Sequence, residues 1–202
     1  MTSGIIDLSK LHELKNSSQQ FEFLDSKALD GKTYAKLTNE VMNSVPEKPG
    51  FYLWGNFNEK RFWTNIYLGK AGFGKITSLR KRILEELRDE RVFLIQEDIK
   101  SNLDLNEKCR KIFPNMWDKS YKAFYERYAK KFGTTHIVWT IFQCNSNETI
   151  KEIENDLIES INPKANVQRK TPPTNLRNET IEILREFRHQ IHEQRGAFKV
   201  KK

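Results

Sequence analysis

The nine residues His136 to Cys144 (HIVWTIFQC) constrain the fold most, because β-branched and aromatic residues in so short a run read as the clearest strand in the chain. A strand leaves its backbone donors and acceptors open unless neighbouring strands pair with them. Two other segments fit as neighbours. Pro49-Gly50 is a turn signal, and Phe51-Tyr52-Leu53-Trp54 follows it as an aromatic and apolar run. Gly55-Asn56 interrupts that run, residues 57–62 read as a hairpin loop, and residues 64–69 read as the next strand.

Helical spacing surrounds these strands. Leu79, Ile83 and Leu87 recur every four residues in a basic amphipathic helix expected over 79–91. Residues 92–131 read as largely helical and rich in Lys, Arg and aromatics, closed by Gly133. Asn145 or Ser146 is placed to cap a helix from about Glu148 to Ile161, which Pro163 ends. Thr171-Pro172-Pro173-Thr174 is a turn or linker, and Glu179 to Glu193 forms a final helix. Upstream, Ile5, Ile6, Leu8, Leu11 and Leu14 suggest a short helix with Asp7 or Ser9 near its start. A second helix is expected from Thr33 to Ser44, with Leu37 and Val41 on one face. The expectation is an α+β fold: a small three-stranded antiparallel sheet flanked by helices, with a helical insert and helical N- and C-terminal extensions. Its parts would be an extension over 1–47, a core over 48–168 with an insert at about 92–134, and an extension over 169–202.

Charge narrows the partner class. The chain has a formal net charge of +8 and a sequence pI of about 9.4. Residues 60–131 alone hold 18 Lys/Arg against 10 Asp/Glu, whereas residues 1–49 hold 6 against 7. Such a balance favours nucleic acid or an anionic surface, with the contacts drawn from the middle of the chain. The competing reading is a set of solvated helix faces. Lys75, Arg80, Lys81, Arg88, Lys119 and Lys122 are the candidate DNA contacts. No apolar run is long enough for a membrane helix, so no membrane partner is expected. Cys109 and Cys144 form no CxxC pair, which gives zinc no support and suits reduced thiols in the cytoplasm. His189 and His192 lie three apart on a helix but have no third ligand. Residues 69–75 lack the spacing of a phosphate-cradling loop.

Four short patterns then fall in order: Gly50-Phe51-Tyr52; Tyr67-Leu68-Gly69 followed by Lys70-Ala71; Leu79-Arg80-Lys81-Arg82; and Glu154-x-x-Leu157-Ile158 continuing to Pro163 and Asn166. Together they resemble the signature of the GIY-YIG nucleases over roughly residues 48–168. The loop at 72–78 and the insert are longer than a compact member of that family needs. The resemblance implies a metal-dependent endonuclease that hydrolyses DNA, with one active site per chain. Glu154 would hold Mg²⁺ (or Mn²⁺), since a single carboxylate with water in the other positions suits that cation. Tyr52 would be the general base, directly or through metal-bound water. Tyrosine's ordinary pKa is about 10, so its anion would need support from Lys70, Arg82 and the cation. Tyr67 would position the phosphate or the attacking water. Arg82 would bind the scissile phosphate through its planar fork. Gly50 and Gly69 would let backbone pass close to the site, and Asn166 would tie backbone near the glutamate helix. Chain size and the lack of added DNA-binding modules resemble a restriction enzyme acting on double-stranded DNA. A repair, mobile-element or branched-DNA nuclease, or a non-catalytic DNA-binding protein, are the alternatives. Cutting two strands with one site per chain calls for a homodimer or two sequential nicks.

Overall fold

The computed structural model describes residues 1–9, 32–73, 78–89, 134–164, 166 and 175–200. In chain order these form β1 (Ser3–Asp7), α1 (Lys32–Val41), β2 (Gly50–Phe57), β3 (Trp63–Ala71), α2 (Leu79–Asp89), β4 (His136–Ile141), α3 (Asn147–Ile161) and α4 (Asn178–Val200). The α+β class stands. Among the described residues the sheet has four strands rather than three, in the order β1-β4-β2-β3. Strands β3 and β4 both pair with β2 and run antiparallel to it.

The extra strand comes from the segment expected to start a helix. Gly4, Ile5 and Ile6 are poor or neutral helix formers, and β-branched side chains suit a pleated surface. Gly4 also lies against the Trp139 ring: a Cβ there would come within 2.5 Å of the indole. That close approach seats β1 beside β4, and Thr2 O accepts from Ile141 N at 2.8 Å. Asp7 ends the strand by accepting from Ser9 N at 2.8 Å. The remainder of that expected helix, including Leu11 and Leu14, lies outside the described residues, as do the insert at 92–133 and the turn at 171–174.

Strand β2 also runs farther than expected, straight through Gly55-Asn56. Gly55 is accommodated because its missing side chain leaves room for Trp63, whose ring would meet a Cβ at 2.1 Å. The ladder shifts register between Trp54 and Gly55. Such a bulge increases local twist. The hairpin loop is correspondingly short, closed by Asn58 N to Phe62 O at 3.0 Å and Arg61 N to Asn58 O at 2.7 Å.

The chain divides into two units, residues 1–6, 44–83 and 134–202, and residues 7–43 and 84–133. In the first, alternation along the strands sends Phe51, Leu53, Leu68 and Val138 to one face of the sheet. That face is covered by Ile150, Ile153, Leu157 and Ile158 of α3 and by Ile183, Leu184 and Phe187 of α4 in one apolar cluster. Each such side chain removed from water stabilises by about 1.5–3 kcal/mol. The C-terminal helix, read from sequence as an extension, thus shares the main core. In the second unit, α1 ends at Val41 rather than Ser44; Thr38 within it and Met42 just after it are buried, and the Leu37 side chain lies outside the described part.

Candidate active site

The opposite face of β2 and β3 carries Gly50, Tyr52 and Trp54 across from Ala71, Gly69 and Tyr67. Tyr52 pairs directly with Gly69, and its phenol ring lies over that glycine. A Cβ on Gly69 would meet Tyr52 Cζ and Oη at 2.3 Å, so only glycine fits there. The Tyr67 ring stands beside that of Tyr52, with centroids 6.3 Å apart and planes at 59°. Gly50 is needed for a similar reason, since a Cβ would strike Thr140 O and the Leu79 side chain. Leu79 begins α2, whose first turn is capped by Ser78: its hydroxyl accepts from Lys81 N at 3.1 Å. One turn on, Arg82 Nε approaches the Tyr52 hydroxyl at 3.4 Å. Tyr52 is 1% exposed, whereas Tyr67 and Arg82 are both half-buried.

Lys70 follows Gly69 and therefore points the other way, toward α3. Its ammonium meets Glu154 Oε2 at 2.6 Å. Both side chains are about one quarter exposed, at 25% and 24%. Glu154 is presented by a well-terminated helix. Ser146 caps the start by accepting from Thr149 N, and Asn162, in the left-handed region at φ 48°, closes the end. Ile150, Ile153, Leu157 and Ile158 anchor one side of α3, which leaves Glu154 at the margin of the buried stripe.

The two groups thus occupy opposite faces of β3 at consecutive residues. Among the described residues β3 is the last strand of the sheet, and no strand lies beyond its outer side. The chain after α3 follows that side. Asn65 Nδ2 donates to Ile161 O at 3.1 Å, and Lys164 N donates to Asn65 O at 3.3 Å. Asn166 then clasps Leu68 twice, accepting from its N–H at 2.9 Å and donating to its carbonyl at 3.0 Å. An amide side chain here does what a neighbouring strand would do, and it blunts an open edge.

Glu154 is one of five acids on α3, with Glu148, Glu152, Asp156 and Glu159. Asp156 Oδ2 accepts from Arg177 Nη1 at 2.6 Å and from Thr180 Oγ1 at 3.3 Å, and Glu152 meets Arg177 Nη2 at 2.7 Å. The Arg177 pKa is raised, first by its hydrogen bond to Asp156. Arg177 was missed in the sequence. Its signal was the pair of acids four residues apart on α3, which offers two carboxylates to one guanidinium fork.

The described residues contain no cluster of three or more potential metal ligands. A lone carboxylate still fits a magnesium ion that keeps most of its waters. Glu154 suits that role: it is partly exposed, one oxygen is held by Lys70, and the other has no hydrogen-bond partner among the described residues. Of the expected DNA contacts, Arg80 is half-buried and Lys81 exposed. Lys75, Lys119, Lys122 and the Arg88 side chain lie outside the described part. No described helix is long and apolar enough to cross a membrane. Compared with protein families, with curated proteins and with solved structures, the chain matches none.

Proposed function

We propose that this protein is a metal-dependent endonuclease of the GIY-YIG type acting on double-stranded DNA. One observation carries the reading. The consecutive residues Gly69 and Lys70 of β3 bring three signature side chains from separate segments to one strand: Tyr52 with Arg82 over Gly69 on one face, and Glu154 against Lys70 on the other.

Hydrolysis forms a bond from water oxygen to phosphorus and breaks the bond to the 3′ oxygen. Arg82 is suited to bind the phosphate, because its fork matches two non-bridging oxygens and keeps its charge. Its Nε–H against the Tyr52 oxygen favours negative charge there, as a base at that position requires. Tyr67 is the more exposed of the two tyrosines and is suited to orient the attacking water. Lys70 fixes the direction of the Glu154 carboxylate and offsets its charge. Glu154 would hold a divalent cation, which when bound stabilises the charge developing on the phosphoryl group.

The reading is tested by incubating unmethylated, phage-sized DNA with the protein in the presence of Mg²⁺ or EDTA. Discrete fragments in Mg²⁺ alone support a restriction-type enzyme with a fixed recognition site. Smearing or nicking supports a nuclease of low or structural specificity. Bound but uncut DNA under every metal overturns the enzyme and leaves a DNA-binding protein.

A further inference from the structure

Helix α4 separates its charges by face. Its inner side, with Ile183, Phe187 and the half-buried Ile191, belongs to the core. Arg185, Arg188, His192 and Arg195 recur at spacings of three, four and three, so they form one exposed row. The helical acids Glu179, Glu182, Glu186 and Glu193 fall on the adjoining flank at about 100° per residue. No Glu on α4 stands four residues before a Lys or Arg, only Glu182 stands three before one (Arg185), and Arg185 and Arg188 are like charges three apart. Arg185, Arg188 and Arg195 pair with no carboxylate among the described residues. Arg177, just before the same helix, grips two.

The tip of the β2–β3 hairpin joins this row. Phe62 is 55% exposed, and the Arg195 guanidinium lies over its ring at 5.2 Å from the centroid. That contact holds Arg195 extended across an apolar plate, which reduces the side-chain entropy a ligand would otherwise have to remove. Lys60, two residues before Phe62, is exposed on the same tip.

We infer that the row Arg185–Arg188–Arg195, with the hairpin tip at Lys60 and Phe62, is a docking surface for the phosphate backbone of duplex DNA. Three guanidinium groups along ten residues of a rigid helix span about 15 Å, about four phosphate steps along one strand at roughly 3.4 Å of axis each. A single-stranded partner would call for exposed rings on which bases stack. Here the exposed ring is covered by a cation. An anionic lipid surface would call for an apolar helix face to insert, and that of α4 is spent on the core. Lys70 and Trp63 bound about 20 Å of β3, so this surface would grip the duplex away from the cut. The choice of DNA as the polyanion rests on the proposed nuclease function; the row itself does not.

The test is fluorescence anisotropy with a labelled duplex in EDTA, using the full chain and the triple variant Arg185→Ser/Arg188→Ser/Arg195→Ser. All three side chains are exposed, and circular dichroism checks that the helix content is retained. A second variant, Glu182→Gln/Glu193→Gln, changes charge on the acidic flank alone. The expected result is at least a ~10-fold weaker Kd for the triple variant, with the slope of log K against log salt shallower by about 2–3. The Gln variant should bind as tightly as wild type or more so. Unchanged affinity and slope in the triple variant overturns the inference, even where Mg²⁺-dependent cleavage stands. Weakened duplex binding supports it, even where no DNA is ever cut. Lost binding to phosphatidylserine vesicles with duplex binding intact also overturns it.

Discussion

Helix α3 carries ion pairs of two kinds, Glu154 with Lys70 and Asp156 and Glu152 with Arg177, that differ in exposure and partners. Asp156 is 13% exposed and shares Arg177 with Glu152, and Thr180 adds a further hydrogen bond. One oxygen of each carboxylate in that cluster is engaged, and the cluster ties α3 to the start of α4. Glu154 has one cationic partner and a second oxygen without a partner among the described residues, at the margin of the edge strand. Asp156, more deeply buried and bonded to Arg177 and Thr180, contributes to holding α3 and α4 together. Glu154, 24% exposed and held by a single lysine, retains capacity for a ligand. The same residue class on one helix thus reads as structure in one case and as chemistry in the other.

The comparison breaks if the two acids behave alike. The largest expected effect is from Glu154→Gln, which should lower DNA cleavage on the order of 10³-fold while leaving thermal stability near wild type. Lys70→Met comes next. Plasmid cleavage should slow by about 10–100-fold, as for loss of a group that orients a ligand. The Mg²⁺ concentration for half-maximal rate should fall, because the ammonium no longer competes for the carboxylate. A rate loss with unchanged metal dependence would reduce Lys70 to packing. Gly69→Ala examines the other face of β3. Its Cβ must displace the Tyr52 ring, so denaturant titration should show about 1–3 kcal/mol of destabilisation together with reduced cleavage. Asp156→Asn should have the smallest effect on cleavage, within about twofold, while costing about 1–2 kcal/mol of stability through its weakened partners.

Local patterns made much of this site legible. Gly50-Phe51-Tyr52 and Tyr67-Leu68-Gly69 lie on strands with alternating faces, so Tyr52 and Gly69 can meet in register. The fixed spacing from Glu154 to Asn166 covers the end of α3 and the return along β3, where Asn166 bonds Leu68. What local pattern could not convey depends on partners distant in sequence. Ser3-Gly4-Ile5-Ile6 has too short a run to separate helix from strand, and the deciding partner is Trp139. Gly55 looks like a breaker until Trp63 is seen lying where its side chain would be. The packing of Ile183, Leu184 and Phe187 against Phe51 and Leu53 joins residues more than a hundred positions apart. Arg177 was unreadable as a lock because its acids precede a proline-rich turn whose course no local rule fixes.

The central claim is that Glu154, and not its neighbour Asp156, supports metal-dependent phosphodiester hydrolysis. Its most direct test is cleavage of supercoiled plasmid across a Mg²⁺ series by wild type, Glu154→Gln and Asp156→Asn in parallel. The account predicts Mg²⁺-dependent cleavage by wild type and Asp156→Asn and none by Glu154→Gln, with all three folded. Equal cleavage by wild type and Glu154→Gln, or no cleavage by any of the three, would contradict it.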